Sequence, residues 1–574
     1  MQRRQEYLNR INVFPVPDGD TGTNLAATLS SALESARVSE SAGETLASIS
    51  DGALVGARGN SGIILAQFLS GLSESLGRAP VIGPDNFARA AESAARCAYE
   101  AVTSPQEGTI LTVMREWAEV LRAEAISSSS VEELLAKTAP ALRAALERTR
   151  EELPALSAAG VVDAGASGFA ELVTGVRSFL AGGELASVSH TSGEPSLSIG
   201  DELDLHESGG VRFRYCTEAL IAGDALDREA IRHGLVPFGD SLIVAGGERQ
   251  ARVHVHTDQP AQVIASLVAS SRVVQQKVDD MQLQYAVAHE RKAQIALVTD
   301  SVCDLPRELL DRYQIHVVPL HILFGEIEYL DKLTIGPEQF FALAAREATF
   351  PSSSQPSVRY FSRLYDYLAN HYDSIIAVHI AAQLSGTAGA SSKAAESIAG
   401  KTKISVIDSR HLSGSLGLVV LRAAEAIAEG KSHEEVVRAV DEYSQKAEIL
   451  VSVRTLEFLV RGGRVKPLDG ALARALNLKP IVSVDAEGRS ILYGKAFSVR
   501  GNTRKIIEMV GRRHAANPLR WYALGHGHDL QAANDLAAKL ERALGFPPLY
   551  VDEISSVAAL NAGSGAVSVV TMQE

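Results

Sequence analysis

Apolar residues recur at helical spacing from about residue 24 to 180, in stretches such as AARCAYEAV, LTVMREWAEVLRA and VEELLAKTAPALRAALERTREEL, which are also rich in the helix formers Ala, Leu and Glu. The pattern predicts an all-helical region, broken by four polar, glycine-bearing loops at 12–24, 57–62, 105–109 and 159–168. Between 181 and 210 the periodicity lapses and Gly, Ser, Pro and acidic residues collect, as in a surface linker. From 211 to about 290, short β-type runs (VRFRYCTEALIA, DSLIVAG, ARVHVHTD) accompany a helical DREAIRHGL, predicting a small α+β domain. From 293 onward strands and helices alternate, beginning with AQIALVTDS, IHVVPLHILF, SIIAVHIA and KISVIDS and continuing with EILVSVRT and WYALGHG. This predicts an α/β region in two lobes, the second started by a hairpin over VSVDAEGRSILYGKA.

Composition narrows the picture. A chain of 574 residues, 46% of them hydrophobic, can bury several cores, and at roughly 150 residues per domain its length suggests about four domains. Lys and Arg number 55 against 69 Asp and Glu, a net charge of -14 that argues against a nucleic-acid partner. The three cysteines, Cys97, Cys216 and Cys303, are too few and too scattered for a disulfide framework, which fits a reducing cytoplasm. The charged N-terminus MQRRQEYLNR does not read as a secretory leader, and apolar runs such as GLVVLRAAEAIA end well short of the roughly 20 residues of a membrane span. A soluble, cytoplasmic protein is expected, with at most transient membrane contact.

Two loops of the helical region carry candidate chemistry. PDGDTGTN sets Asp18 and Asp20 two residues apart, where two ionised carboxylates repel unless a hard cation such as Mg²⁺ lies between them. An ordinary Asp-Gly turn would leave the same string. In GARGNSG, Gly59, Asn60, Ser61 and Gly62 precede an apolar helix whose N-terminal N–H groups can receive phosphate, although a capping serine between glycines explains them too. NVFPVPDGDTGTN, GALVGARGNSGIILAQFLSG, EGTILTV and AGVVDAGASGF, in this order, resemble the kinase domain shared by bacterial fatty acid kinase and the DhaL subunit of dihydroxyacetone kinase. The resemblance implies an antiparallel helical barrel that binds ATP through Mg²⁺. It implies Asp18 and Asp20 as catalytic metal ligands with Asn12 nearby, and Asn24, Asn60, Ser61, Gly62, Thr109 and Asp163 as nucleotide contacts. NVFPVP points to the fatty acid kinase branch. Only eleven residues precede Asn12, so the barrel is expected either to lack a first helix or to begin upstream.

In the middle region Cys216, His254 and His256 offer one thiol and two imidazoles, and the histidines, two apart on a strand, point to one face. Three such residues also occur as buried, hydrogen-bonded strand residues. RYCTEALI, FGDSLIVAG and VHVHTDQPAQVI resemble the middle domain of fatty acid kinase, which implies a Zn²⁺ site on Cys216, His254 and His256 and a homodimer.

IALVTDSVCDLP, PSSSQPS, AAQLSGTAGAS, VIDSRHLSGSLG, TLEFLVRGGRV and LNLKPIVSVDAEG, in this order, resemble the DegV family of two-lobed fatty-acid-binding proteins. The resemblance assigns the fatty acid carboxylate to Ser353, Ser354, Ser385, Gly386 and Thr387; Asp300 and Ser301 close the first strand, where a crevice forms outside the carboxyl end of a parallel sheet, and are expected behind them. Arg461 and Arg464 become candidates for docking to a phosphate-rich kinase site. Where the family has a His-Thr-Gly-Pro-Gly string this chain reads NAGSGA, with Asn561, Ala562 and Ser564, so a neutral amide replaces the histidine and His526 or His528 is left to compensate. The expected architecture is a multidomain chain. A DhaL-like helical barrel kinase domain spans 1–190, an α+β middle domain 205–290 and a two-lobed α/β DegV-like domain 293–574. The expected function is a fused fatty acid kinase, with a nucleotide-regulated lipid carrier as one alternative. A dihydroxyacetone-type kinase is another, against which stands Thr21, where that branch has a histidine.

Overall fold

The computed structural model describes residues 1–15, 19–182, 211–346, 350–398, 400–463 and 479–574, which form two compact units, Met1–Tyr285 and Ala286–Glu574. The N-terminal unit begins with helices α1 (Gln5–Arg10), α2 (Thr21–Ser35), α3 (Ala42–Gly56), α4 (Gly59–Leu76) and α5 (Pro84–Ala101). It continues with α6 (Ile110–Ala125), α7 (Val131–Glu152), α8 (Pro154–Ala159) and α9 (Ala164–Leu180). Successive long helices pack side by side, and α9 returns against α2, α6 and α7, so the helices close around one core. That core is aromatic at its centre, where Phe169 meets Phe68 at 5.2 Å and Trp117 at 5.5 Å, edge to face. Trp117 Nε1 donates to Thr138 Oγ1, satisfying the one polar atom the indole buries. The short α1 lies ahead of the first loop and packs on α2 and α9.

The rest of this unit is a four-stranded antiparallel sheet in the order β2-β3-β1-β4, built from β1 (Tyr215–Ala222), β2 (Gly239–Gly246), β3 (Gln250–Thr257) and β4 (Arg272–Asp280). Helices α10 (Arg228–Leu235), α11 (Pro260–Ser270) and α12 (Met281–His289) accompany it. Ile243 and Ala245 of β2 are buried in the helical core itself, and Gln67 of α4 accepts the Gly246 N–H at 2.7 Å. One face of the sheet is therefore held against α4.

The C-terminal unit has two lobes. The first is a parallel sheet, β11-β10-β5-β6, made from β5 (Ile295–Asp300), β6 (His316–Val318), β10 (Ser374–His379) and β11 (Lys403–Asp408). A three-stranded antiparallel sheet, β8-β7-β9, adjoins it, from β7 (His321–Phe324), β8 (Ile327–Leu330) and β9 (Ser352–Ser354). The second lobe carries a six-stranded sheet, β14-β13-β12-β17-β15-β16. Its strands are β12 (Ala447–Ser452), β13 (Lys479–Val484), β14 (Ser490–Ala496), β15 (Leu519–His526), β16 (Val551–Glu553) and β17 (Val567–Gln573). IHVVPLHILF, expected as one strand, is two: Pro319 has no N–H to donate, and the chain leaves one sheet there and enters another. The hairpin β13–β14 does not start the second lobe, because β12 precedes it and pairs with both β13 and β17.

Polar contacts tie the lobes together. Asp304, just past β5, accepts the Ser555 N–H at 2.9 Å and the Ser413 hydroxyl at 2.6 Å, and its carboxylate pairs with Lys332 at 2.8 Å. Asp331 accepts the Ser556 N–H at 2.9 Å and the Ser301 hydroxyl at 2.7 Å. Both carboxylates thus hold the start of the helix Ser556–Ala562 from the opposite lobe.

Candidate functional site

In the N-terminal unit, the loop before α2, the start of α4 and one face of the sheet enclose a small cleft of about 40 Å³. Asn12, Asp20, Asn24, Asn60 and Ser61 line it from the helical side. Gly59 opens α4 with φ +56, and a Cβ there would come 2.4 Å from Asn24 Nδ2, so only glycine lets the loop approach this closely. Asn60 Oδ1 is buried without a hydrogen-bond partner, an acceptor left for a donor or a cation from a ligand. Asp18 and Arg464 lie outside the described residues.

Three expected nucleotide contacts do not line the cleft. Gly62 faces Thr28, whose Oγ1 would be 2.5 Å from an added Cβ, so its small size serves helix packing. Thr109 caps α6 and donates its hydroxyl to the Gln106 carbonyl. Asp163 caps α9, accepting the Ala166 N–H at 2.7 Å, and burial pushes its carboxyl up to about 6. An added Cβ at Gly165 would lie 2.8 Å from Ser61 Oγ and 3.3 Å from Asp163 Oδ1, so this loop adjoins the α4 start all the same.

The sheet side of the cleft is a grid that follows from strand pairing. Cys216 and Glu218 of β1 stand opposite His256 and His254 of β3, and on the other flank opposite Asp279 and Lys277 of β4. With a side-chain period of 2, all six share one face. The ligand atoms of Cys216, His254 and His256 lie within 4.8 Å of one another, and all three line the cleft. One thiol and two imidazoles, converging and buried, fit a tetrahedral Zn²⁺ with a fourth position left over. Burial raises the Cys216 thiol, with Glu218 and Asp279 adding to it. Burial and the neighbouring His254 push His256 down to about 3, which keeps its imidazole neutral and available as a ligand.

The sequence pattern does not single out Glu218, Arg252, Lys277 and Asp279. Glu218 is buried; burial alone would raise its carboxyl, but the hydrogen bond to His254 and the charges of Lys277 and Arg252 hold it well below the usual range. Lys277 is raised in turn, its partners Asp279 and Glu218 outweighing burial. One signal is present: Glu218 follows Cys216 by two residues and so shares its face. The residues of β4 do not read as a strand, which hides the third column of the grid.

The C-terminal unit encloses a larger cavity, of about 550 Å³, between its lobes. Its wall is mostly aliphatic, with Val302, Leu320 and Ile380 from the first lobe and Ile449, Val482 and Val557 from the second. Ser353, Ser354, Ser385 and Gly386 all line it; Thr387 does not, being buried at the start of the helix Thr387–Ile398 with its N–H bonded to Ser385 Oγ. Asn561 lines the cavity, donates to the Val557 carbonyl and leaves its own Oδ1 buried without a partner. Neither His526 nor His528 reaches the cavity wall, so neither replaces the missing histidine there. Arg461 lies over the Phe350 ring at 4.1 Å and pairs with Glu457 at 3.7 Å.

Asp300, His379 and Ser391 form a chain of hydrogen bonds reminiscent of a hydrolytic triad, His379 meeting Asp300 at 3.1 Å and Ser391 at 2.9 Å. All three are wholly buried and Ser391 is engaged by Tyr365, so no substrate can reach the hydroxyl. Asp300 also accepts the Ile380 N–H at 2.8 Å, which fixes the end of β10 beside the cavity.

Comparison with known proteins finds three family matches along the chain. It matches the DAK2 domain over residues 15–178, the middle domain of FakA-like fatty acid kinase proteins over 212–288, and the DegV family over 294–574. It is 34% identical to Protein YloV of Bacillus subtilis over 298 residues, which is 50% of this chain and 53% of that protein. It is also 34% identical to an uncharacterized protein of Staphylococcus saprophyticus over 294 residues, again 50% of this chain and 53% of that one. The chain thus spans about half the length of these curated relatives. A fatty-acid-binding DegV family protein from Thermus thermophilus is 31% identical, over 49% of this chain and 100% of that one, with a TM-score of 0.46. The DegV fatty acid binding protein from Bacillus subtilis is 25% identical over the same shares, also with a TM-score of 0.46.

Proposed function

We infer that this chain, which joins a DAK2 domain, a FakA-like middle domain and a DegV family domain in one polypeptide, is a fused fatty acid kinase. It transfers the γ-phosphoryl group of ATP to the carboxylate of a fatty acid held in its C-terminal unit, giving acyl phosphate and ADP. The observation that carries this reading is the presence in one chain of a polar cleft at a helix N-terminus and an aliphatic cavity of about 550 Å³ with hydroxyls in its wall.

Each methylene of an acyl chain buried in such a wall stabilises the complex by about 0.8 kcal/mol, while the carboxylate requires donors. Ser353, Ser354 and Ser385 supply hydroxyls and Gly386 a backbone N–H. At the other site, the N–H groups at the start of α4 receive phosphate oxygens, and Asn12, Asn24 and Asn60 line the cleft around them. Mg²⁺ held by Asp18 and Asp20 would neutralise the phosphates, and Zn²⁺ on Cys216, His254 and His256 would brace the sheet against the cleft. The attacking carboxylate is already a nucleophile, so the residues need only position the reactants and balance their charge. Carrying the acid and the nucleotide on one chain raises the effective concentration of each for the other.

A carrier whose lipid binding is regulated by nucleotide is the second reading, and Asn561 favours it, because an amide brings no positive charge to a carboxylate in this cavity. The two readings separate on ADP formation. The kinase forms ADP from MgATP only when fatty acid is supplied, and Asp20→Asn lowers that rate at least 100-fold. Lipid bound without fatty-acid-dependent ADP formation would favour the carrier.

A further inference from the structure

Glu218 touches both halves of the N-terminal site. It is 1% exposed. Its Oε1 accepts the Gly59 N–H at 2.6 Å and faces His254 Nδ1 at 3.5 Å, and its Oε2 accepts from Arg252 at 3.2 Å. A carboxylate buried this deeply is tolerated only with such donors around it. His254 turns its other nitrogen, Nε2, toward His256 Nε2 at 3.2 Å. Two nitrogens that each sit about 2.0–2.1 Å from one tetrahedral ion stand about 3.4 Å apart, so this pair is already spaced to share a cation. A histidine bound through Nε2 carries its proton on Nδ1, which faces Glu218 Oε1 at 3.5 Å and Cys216 Sγ at 3.6 Å; once the thiol gives its sulfur to the metal, Glu218 is the acceptor left for that proton.

The same oxygen therefore faces an imidazole of the candidate metal cluster on one side and the first N–H of α4 on the other. Gly59 is pressed against Asn24 and takes a left-handed backbone conformation, so the way the chain enters α4 depends on what holds its N–H. The residues that follow, Asn60 and Ser61, line the cleft, and in the kinase reading their N–H groups are offered to phosphate.

We propose that Glu218 is a positioning residue that couples metal occupancy at Cys216, His254 and His256 to nucleotide binding at the α4 N-terminus. With the metal in place, His254 fixes the Glu218 carboxylate, which fixes Gly59 and so the phosphate-receiving turn. Without it, the His254 proton is no longer directed at Glu218 and the turn loses one of its anchors. This coupling rests on the kinase reading, since it concerns the same nucleotide site, and it assigns to the metal a role in affinity for nucleotide.

The test is a linkage measurement on the full chain, using zinc alone and MgADP as probes. MgADP affinity is measured by calorimetry on zinc-loaded protein and on protein stripped with a chelator that is removed before titration; zinc affinity is measured with and without MgADP. Zinc tightens MgADP at least about fivefold, and MgADP tightens zinc by the same factor, as reciprocity requires. In Glu218→Gln both ligands still bind but the factor falls to within about twofold of one, because the amide has one acceptor oxygen where the carboxylate has two, and Gly59, His254 and Arg252 can no longer all be satisfied. Hydrogen exchange at Gly59 gives a second readout in the wild type, independent of whether the variant folds: stripping zinc speeds it at least about fivefold. Zinc and MgADP binding independently in the wild type, unchanged coupling in Glu218→Gln, or unchanged exchange at Gly59 would each overturn the proposal while leaving the kinase reading intact. No MgADP binding in either metal state would overturn both.

Discussion

At the scale of single residues, burial rather than sequence neighbourhood sets the chemistry. Asp331 is wholly buried, and desolvation outweighs the nearby Lys332 and the Ser301 hydrogen bond to push its carboxyl up to about 6. A folded-state value raised above the ordinary 3.8 of an aspartate means that the native state binds the proton more tightly than the unfolded chain does. The stabilising contribution is complete below about 4 and is lost as pH rises through about 6. Compared with Asp331→Asn, which does not titrate, the wild type is therefore expected to lose roughly 1.4 kcal/mol per pH unit across that window. Denaturant unfolding of both proteins between pH 4 and 7 checks this; a constant difference would contradict it. The same scale explains what is legible in the sequence. Cys216, His254 and His256 stand out because thiol and imidazole are rare in strands and two of them are spaced by two. Glu218 has the same spacing from Cys216, but a glutamate in a strand has many ordinary readings, and only the 2.6 Å contact to Gly59, 159 residues away in sequence, reveals its position.

At the scale of elements, glycines set how closely helices pack. Gly71 of α4 faces α5, and a Cβ there would come 2.7 Å from the Ala94 Cα, which is backbone and cannot turn aside. Gly71→Val is expected to destabilise the protein by about 1–3 kcal/mol through overpacking, measured as a lower denaturant midpoint at unchanged slope. No loss of stability would mean that α4 and α5 can separate without cost. The helices of this region are legible because their apolar period is long and regular. Strand β4 is not, because RVVQQKVDD places apolar residues side by side rather than alternately, and its hydrophilic face is the cleft wall. The division of IHVVPLHILF between two sheets is equally hidden: Pro319 marks a break, but which sheet receives each half depends on partners far along the chain. Among the expected nucleotide contacts, Gly62, Thr109 and Asp163 carry local duties in packing and capping, which sequence order alone does not separate from ligand binding.

At the scale of the whole molecule, the chain holds a polar cleft and an aliphatic cavity, which the proposed kinase would use for the two reactants of a phosphoryl transfer. The N-terminal unit offers a helix start, buried amides and a candidate metal cluster around a small polar cleft, while the C-terminal unit offers an aliphatic cavity between lobes. No helix among the described residues is long and apolar enough to cross a membrane. This division is visible in the texture of the sequence, from helical period to short strands to alternating α/β, because each texture reflects how its own core is built. That the two enclosures serve one reaction is tested most directly by incubating the purified full chain with fatty acid, MgATP and hydroxylamine, which converts acyl phosphate to a hydroxamate identifiable by mass spectrometry. The expected product is an acyl hydroxamate whose chain matches the lipid extracted from the protein, formed only with ATP and lost in Asp18→Ala. Bound fatty acid with no hydroxamate, under conditions where MgATP binds, would contradict a shared reaction.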